Sequence, residues 1–202
     1  MTTACLSTAY LAPVQYYSKL TAFDVIHMET QENFPKQTYR NRCHIASANG
    51  MVALTVPVEK PVSLKAPVCD IRISNHGNWR HIHWNAFVSA YNLSPFFEYY
   101  MDDFRPFYEK KIDFLIDFNE ALRAMICDLL DIYPTIRYTR QYTPFVANDF
   151  RQVITPRHPL PDAHFTPRPY YQVFRDKYGF LPNLSIVDLL FNMGPEAILF
   201  IT

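Results

Sequence analysis

The first thirty residues constrain the fold more than any other stretch. A short, mostly small and apolar run at 4–9 is broken by Tyr10-Leu11-Ala12-Pro13. Val14 to Leu20 then places Val14, Tyr17 and Leu20 on one side of a short helix. Phe23-Asp24-Val25-Ile26-His27-Met28 follows as a strand. Two strands joined by a helical crossover lie parallel, whereas antiparallel neighbours need only a tight turn. The expected class is therefore α/β: a partly parallel sheet opened by a β-α-β unit.

The rest of the chain completes that picture. Residues 29–41 are polar and irregular. Arg42 to Ile45 and Met51 to Val58 flank Asn49-Gly50, a favoured hairpin turn. In 69–74, Ile71 and Ile73 alternate with Arg72 and Ser74, as in a strand. The chain then turns helical. Trp79, Ile82, Phe87, Ala90 and Tyr91 keep helical spacing, and Ser94-Pro95 looks like the cap and first turn of a second helix running to Tyr108. Ile112 to Leu130 carries one apolar stripe (Leu115, Phe118, Leu122, Met125, Ile126, Leu129). A strand over 136–142 is followed by 155–169, whose five prolines read as an ordered surface loop or lid. Ser185 with Asp188 resembles a capping pair for a helix over 185–192. The expectation is one mixed domain over 1–202 with a helical C-terminal half.

Composition excludes several functions. Four glycines among 202 residues, with no G-x-G-x-x-G and no G-x-x-x-x-G-K-[ST], remove the usual dinucleotide and P-loop fingerprints. Nineteen basic residues balance nineteen acidic ones, which argues against a nucleic-acid partner or an anionic membrane held by bulk charge. No apolar stretch is long enough to span a bilayer, and the first residues lack the charge of a signal peptide. Cys5, Cys43, Cys69 and Cys127 are far apart and read as reduced thiols of a cytoplasmic protein. No cofactor motif is present, and none is expected.

Several stretches together resemble the WbqC-like protein family, in its short Bacteroidetes-type version. They are Ser7-Thr8-Ala9-Tyr10-Leu11-Ala12-Pro13 with Gln15-Tyr16-Tyr17; Glu32-Asn33-Phe34-Pro35-Lys36-Gln37-Thr38-Tyr39-Arg40-Asn41-Arg42-Cys43; Thr55-Val56-Pro57-Val58; His83-Trp84 with Ser89-Ala90-Tyr91; Ser94-Pro95-Phe96-Phe97-Glu98-Tyr99-Tyr100; and Gly179-Phe180-Leu181-Pro182-Asn183-Leu184 running on through Ser185 to Asn192. These islands span residues 7 to 192. Ala12 departs from relatives that resemble Tyr-Leu-Pro-Pro or Tyr-Leu-Gly-Pro. The resemblance implies a largely uncharacterised family, some of whose members sit in O-antigen gene clusters, with a glycine-transferase role suggested for that setting. It carries over no catalytic residue.

Candidate chemistry concentrates at 29–43, which holds Glu29, Glu32, Lys36, Tyr39, Arg40, Asn41 and Arg42. Guanidinium forks match phosphate or carboxylate, and ligands gather at the carboxyl ends of parallel strands. If 40–42 is extended, Arg40 and Arg42 share a face. The alternative is a solvated loop whose charges pair locally. His81 and His83 fall on nearly opposite sides of a helix, so no metal site is expected from them. His83 is a candidate general base, or else a half-buried histidine beside Trp84. Asp149 and Arg151 form a pair that orients a substrate or a histidine, or a structural ion pair. Cys43, next to Arg42, is a candidate nucleophile or a small core residue. Aromatic clusters (Tyr16-Tyr17, Phe96 to Tyr100, Tyr170-Tyr171) read as core, as a sugar or nucleotide platform, or as a homodimer interface.

Two functions follow. The first is a transferase that attaches a small acyl or aminoacyl group, such as glycyl, to a sugar or surface-polysaccharide precursor supplied as a small molecule or sugar nucleotide. Its expected catalytic groups are Glu32, His83 and Asp149. Its expected substrate contacts are Lys36, Tyr39, Arg40, Asn41, Arg42, Arg151 and Trp84. The second is a non-catalytic ligand-binding or interaction protein using the same polar loop and aromatic patches.

Overall fold

A computed structural model of the chain describes residues 1–60, 63, 65–144 and 146–201. In chain order the elements are β1 (Thr3–Ser7), α1 (Val14–Ala22), β2 (Val25–Glu29), β3 (Arg42–Ser47), β4 (Gly50–Thr55), α2 (Trp79–Tyr91), α3 (Phe97–Glu109), α4 (Leu115–Leu129), β5 (Thr135–Tyr138), α5 (Arg175–Tyr178) and α6 (Ile186–Met193). The fold is α/β, as expected, with a parallel sheet of order β1-β2-β5 and a separate β3-β4 hairpin. Thr3 to Ser7 pair in register with Val25 to Glu29, and Val25 to Met28 with Thr135 to Tyr138. The free edge of β1 takes one further parallel bridge, Cys5 to Asp149.

Both faces of β1 and β2 are covered, which is the usual fate of parallel strands. One core runs from Ala4 to Ile201. α6 lies inside it, with every residue from Ile186 to Asn192 buried. Phe191 packs its ring edge-on against Tyr91, Phe97 and Phe104, at centroid distances of 5.1–5.3 Å.

Several local expectations change, among them the last strand, which is Thr135–Tyr138 and not 136–142. The hairpin turn is Ala48-Asn49, with Gly50 as the first residue of β4 at φ +92°, because Ser47 already pairs with Gly50. Residues 69–74 make only single bridges at Arg72 and Ile73, since Val68–Asp70 winds into a 3-10 turn after Pro67. Ser94 caps nothing; its hydroxyl returns to the Tyr91 carbonyl at 2.7 Å, and α3 starts at Phe97. In α2 the buried positions are Trp79, His83, Phe87, Ala90 and Tyr91, while Ile82 is exposed.

Ser185 does cap α6, accepting from the Val187 amide at 3.4 Å while donating to the Leu11 carbonyl at 2.6 Å. Asp188 turns inward instead of serving the helix end. Its carboxylate accepts from Tyr91 Oη, Tyr170 Oη and Gln172 Nε2 at 2.7–2.8 Å. Burial pushes its pKa up, and the three donors oppose that rise.

The proline-rich segment is tethered. Lys19, buried in α1, reaches Asp162 at 2.7 Å, and Gln15 Nε2 donates to the same oxygen at 2.8 Å. The Lys19 ammonium also sits 4.8 Å from the Phe150 ring centre.

α6 ends at Gly194, at φ +56°, where an added Cβ would fall 2.5 Å from Phe96 Cδ1. Gly194→Ala should therefore cost about 3 kcal/mol from backbone strain plus displacement of the Phe96 ring. Urea denaturation checks this, and an unchanged midpoint would mean the turn relaxes freely.

Candidate active site at the carboxyl end of the parallel sheet

Register builds this site. Cys5 is level with Asp149 and with His27, and Ser7 with Glu29; Arg151, in the turn just past the Asp149 bridge, brings its side chain to Glu29 and so completes a row across the sheet. Tyr138 is level with Met28, which adds Thr139 beside Glu29. Parallel strands end together here, and the row closes their carboxyl ends.

Two guanidinium clamps meet at this row. Arg151 donates through Nε and NH2 to Asp149 at 2.9 and 2.6 Å, and through NH1 to Glu29 at 3.3 Å. Its NH2 also donates to the Thr143 carbonyl at 2.9 Å. Glu29, fully buried, accepts further from the Gln31 amide at 2.7 Å and Thr139 Oγ1 at 2.8 Å. Arg40 forks onto Glu32 through Nε and NH2 at 2.8 and 2.6 Å, and NH2 also reaches Ser7 Oγ at 2.6 Å. Three carboxylates thus surround two guanidinia. Burial pushes the Asp149 carboxyl up, but its bonds from Arg151 outweigh this and hold it below the usual carboxylate range. The same bonds keep Arg151 firmly protonated.

Space lies on both sides of the row. Arg40, Arg151, Ser7, Thr8 and Tyr39 line a crevice of about 10 Å³, room for one water. Cys5, His27, Glu29 and Thr139 line a larger cavity of about 290 Å³. Burial pushes the Cys5 thiol up to about 12, so at neutral pH it is a thiol and not a thiolate.

The expected site residues separate into two groups. Glu32, Tyr39, Arg40, Asp149 and Arg151 come together at this end of the sheet. Asn41 supports it from behind, donating to the Val56 carbonyl at 2.9 Å. Arg40 and Arg42 do not share a face, because 39–41 turns before β3 begins. Arg42 instead meets Thr55 Oγ1 at 3.2 Å, and Lys36 is exposed. His83 is held away from the centre, in the core. Its Nδ1 is hydrogen-bonded to Tyr10 Oη at 2.9 Å, and Tyr10 Oη to Tyr108 Oη at 2.8 Å. Burial pulls its pKa down to about 4, with the Thr55 backbone beside the ring opposing this. The ring is therefore neutral at pH 7. Trp84 packs on Tyr108 and Phe97 and lines a different cavity. Cys43 is fully buried, and its thiol is pushed well above the usual range.

Sequence reasoning passed over Ser7, His27 and Thr139, and it named Glu29 without a role. The signal for them was position: each lies in, at the end of, or just beyond a strand of the parallel sheet.

A model of the WbqC-like protein family matches residues 8–156. The chain belongs to the WbqC-like protein family. The matched span holds Thr8, Glu29, Glu32, Arg40, Asp149 and Arg151, and it stops before α6. This WbqC-like chain is also 25% identical, over 219 aligned positions, to an uncharacterized protein of Mycobacterium tuberculosis; the alignment covers 96% of this chain and 94% of the relative. No solved structure matches. Among the described residues, no helix is long and apolar enough to cross a membrane. All four cysteines are unpaired.

Proposed function

We propose that this WbqC-like protein is a transferase that moves a small acyl or aminoacyl group, such as glycyl, onto a sugar-containing acceptor or sugar nucleotide. The observation that carries this reading is a cavity of about 290 Å³ that runs along the sheet from Thr3 past Cys5 and His27 to Glu29 and Thr139, where the parallel strands end. Arg151 and Arg40 are held rigid by their carboxylates; Arg151 fixes Glu29 in the wall of the cavity, and Arg40 holds Glu32 and Ser7 on the crevice side. Glu32 and Asp149 act by orienting those guanidinia. The base that takes the proton of the attacking amine or hydroxyl is His27, which is half-buried in the cavity wall beside Glu29. Lys36 and Arg42 have no ion-pair partner among the described residues and attract an anionic donor. The four unpaired thiols support a reducing, cytoplasmic setting.

The second reading, a non-catalytic binder, draws on the saturation of both clamps and the one-water width of the crevice. Exposed Tyr99, Tyr133 and Tyr171 would then supply contacts to a partner or a second copy.

Mass spectrometry of purified protein with nucleotide sugars and thioester-activated glycine separates the two. The transferase reading expects a glycylated acceptor, with turnover lowered about 100-fold in His27→Ala at unchanged far-UV circular dichroism. Tight binding of one compound with no product from any would establish the binder instead.

A further inference from the structure

A second cleft lies where the start of α2 meets the end of α3, outside the sheet centre. Its volume is about 330 Å³, and its lining includes Asn78, Arg80, His81, Trp84, Arg105 and Glu109. That volume falls in the range of small-ligand sites.

The charges here are arranged unlike those at the sheet. The Arg80 guanidinium carbon lies over Trp79, 4.6 Å from the ring centre, and that of Arg105 lies over Trp84 at 5.7 Å. A cation–ring contact takes up no N–H donor, so donors of both guanidinia stay open to an anion. Arg80 has no carboxylate partner among the described residues. Its one side-chain bond is from NH1 to Asn75 Oδ1 at 3.2 Å, and its Nε is shut off from solvent with no acceptor. Among the described residues Arg105 has one ion-pair partner, Glu109, at 3.7 Å and on exposed side chains. A half-buried cation without a counter-charge is unfavourable unless something compensates it. Two further features point the same way. Asn78 leaves the first amides of α2 without a side-chain cap, so the positive end of a thirteen-residue helix opens here. Among the described residues the His81 ring is hydrogen-bonded to Asn85 alone, through Nε2 at 2.9 Å on the surface, and Nδ1 is left for a ligand hydroxyl.

We propose that this cleft binds a hydroxylated phosphomonoester of sugar size. Arg80 and Arg105 clamp the phosphate at its edges, with the first amides of α2 behind it. Asn78, His81 and Glu109 meet the hydroxyl groups. The proposal is independent of the transferase reading, since it shares no residue with the sheet centre.

The test is a titration followed by intrinsic tryptophan fluorescence, because Trp79 and Trp84 are the chain's two tryptophans and each carries one of these guanidinia. The probes are glucose 1-phosphate, inorganic phosphate and glucose. Glucose 1-phosphate should saturate the signal about tenfold more tightly than inorganic phosphate, and glucose should not saturate it. Arg80→Gln and Arg105→Gln should each weaken glucose 1-phosphate about tenfold or more. Arg105 is exposed, so its variant folds whatever happens to Arg80→Gln. Ser7→Ala, at the sheet centre, should leave this binding unchanged. Three results would each overturn the proposal: no saturation by any probe, equal affinity for phosphate and glucose 1-phosphate, or wild-type affinity in Arg105→Gln.

Discussion

Arg151→Met should lower stability by about 3–5 kcal/mol, the usual effect of leaving a buried charge without its partner. Glu29 is fully buried, and Arg151 is its only cationic neighbour among the ion pairs of the described residues. Removing the guanidinium leaves that carboxylate with neutral donors alone, the Gln31 amide and Thr139 Oγ1. Asp149 is less affected, because its side chain is 27% exposed and water can replace the lost bonds. Urea denaturation of the single variants and of Glu29→Gln/Arg151→Met gives the coupling directly. The double variant should lose clearly less than the sum of the two singles. Strict additivity would mean that Glu29 and Arg151 do not depend on each other, and the row across the sheet would lose its energetic meaning.

Acidification should remove about 3 kcal/mol through His83 alone. In the unfolded chain its imidazole titrates near 6.5; in the folded protein burial lowers this to about 4. Between those values the unfolded chain binds the extra proton and the folded one does not. The stabilisation is therefore complete above pH 6.5 and is lost as the pH falls towards 4. Protonation would place a cation between Tyr10, Trp79 and Tyr108, at ring distances of 5.1–6.5 Å. Asp188 works in the opposite sense: its raised pKa stabilises the fold below the ordinary carboxylate range and loses that contribution as pH rises through its folded value. Equilibrium unfolding of the wild type and His83→Gln at pH 7 and pH 4.5 isolates the histidine. Identical pH dependence in the two proteins would show that His83 does not control acid sensitivity.

Where the sequence was legible, the pattern was local. The β-α-β opening, the hairpin, the α4 stripe and the Ser185 cap all rest on periodicity or on residues a few positions apart. The errors have a common cause. In α2, Ile82 outranks His83 on any hydrophobicity scale, yet the Tyr10–Tyr108 hydroxyl pair offers a partner that only the histidine can use. Ser94 carries the composition of a cap, but a nearer acceptor, the Tyr91 carbonyl, claims its hydroxyl. The sheet centre is assembled from residues 7, 29, 40 and 149–151. Strand register brings three of these segments level, and no spacing rule within one segment reveals that. Segment 29–43 did announce itself by charge, although what it holds is a buried fork and not a solvated loop.

The placement of α6 has a consequence for how the chain comes into being. The family match ends at 156, yet the centre of the core is Phe191, wedged among Tyr91, Phe97 and Phe104, while Asp188 collects Tyr91 and Tyr170. A nascent chain released only as far as residue 156 exposes those aromatic surfaces with nothing to fill the gap. Productive folding therefore requires the stretch around 186–193, and a chain lacking it should expose aromatic surface and aggregate.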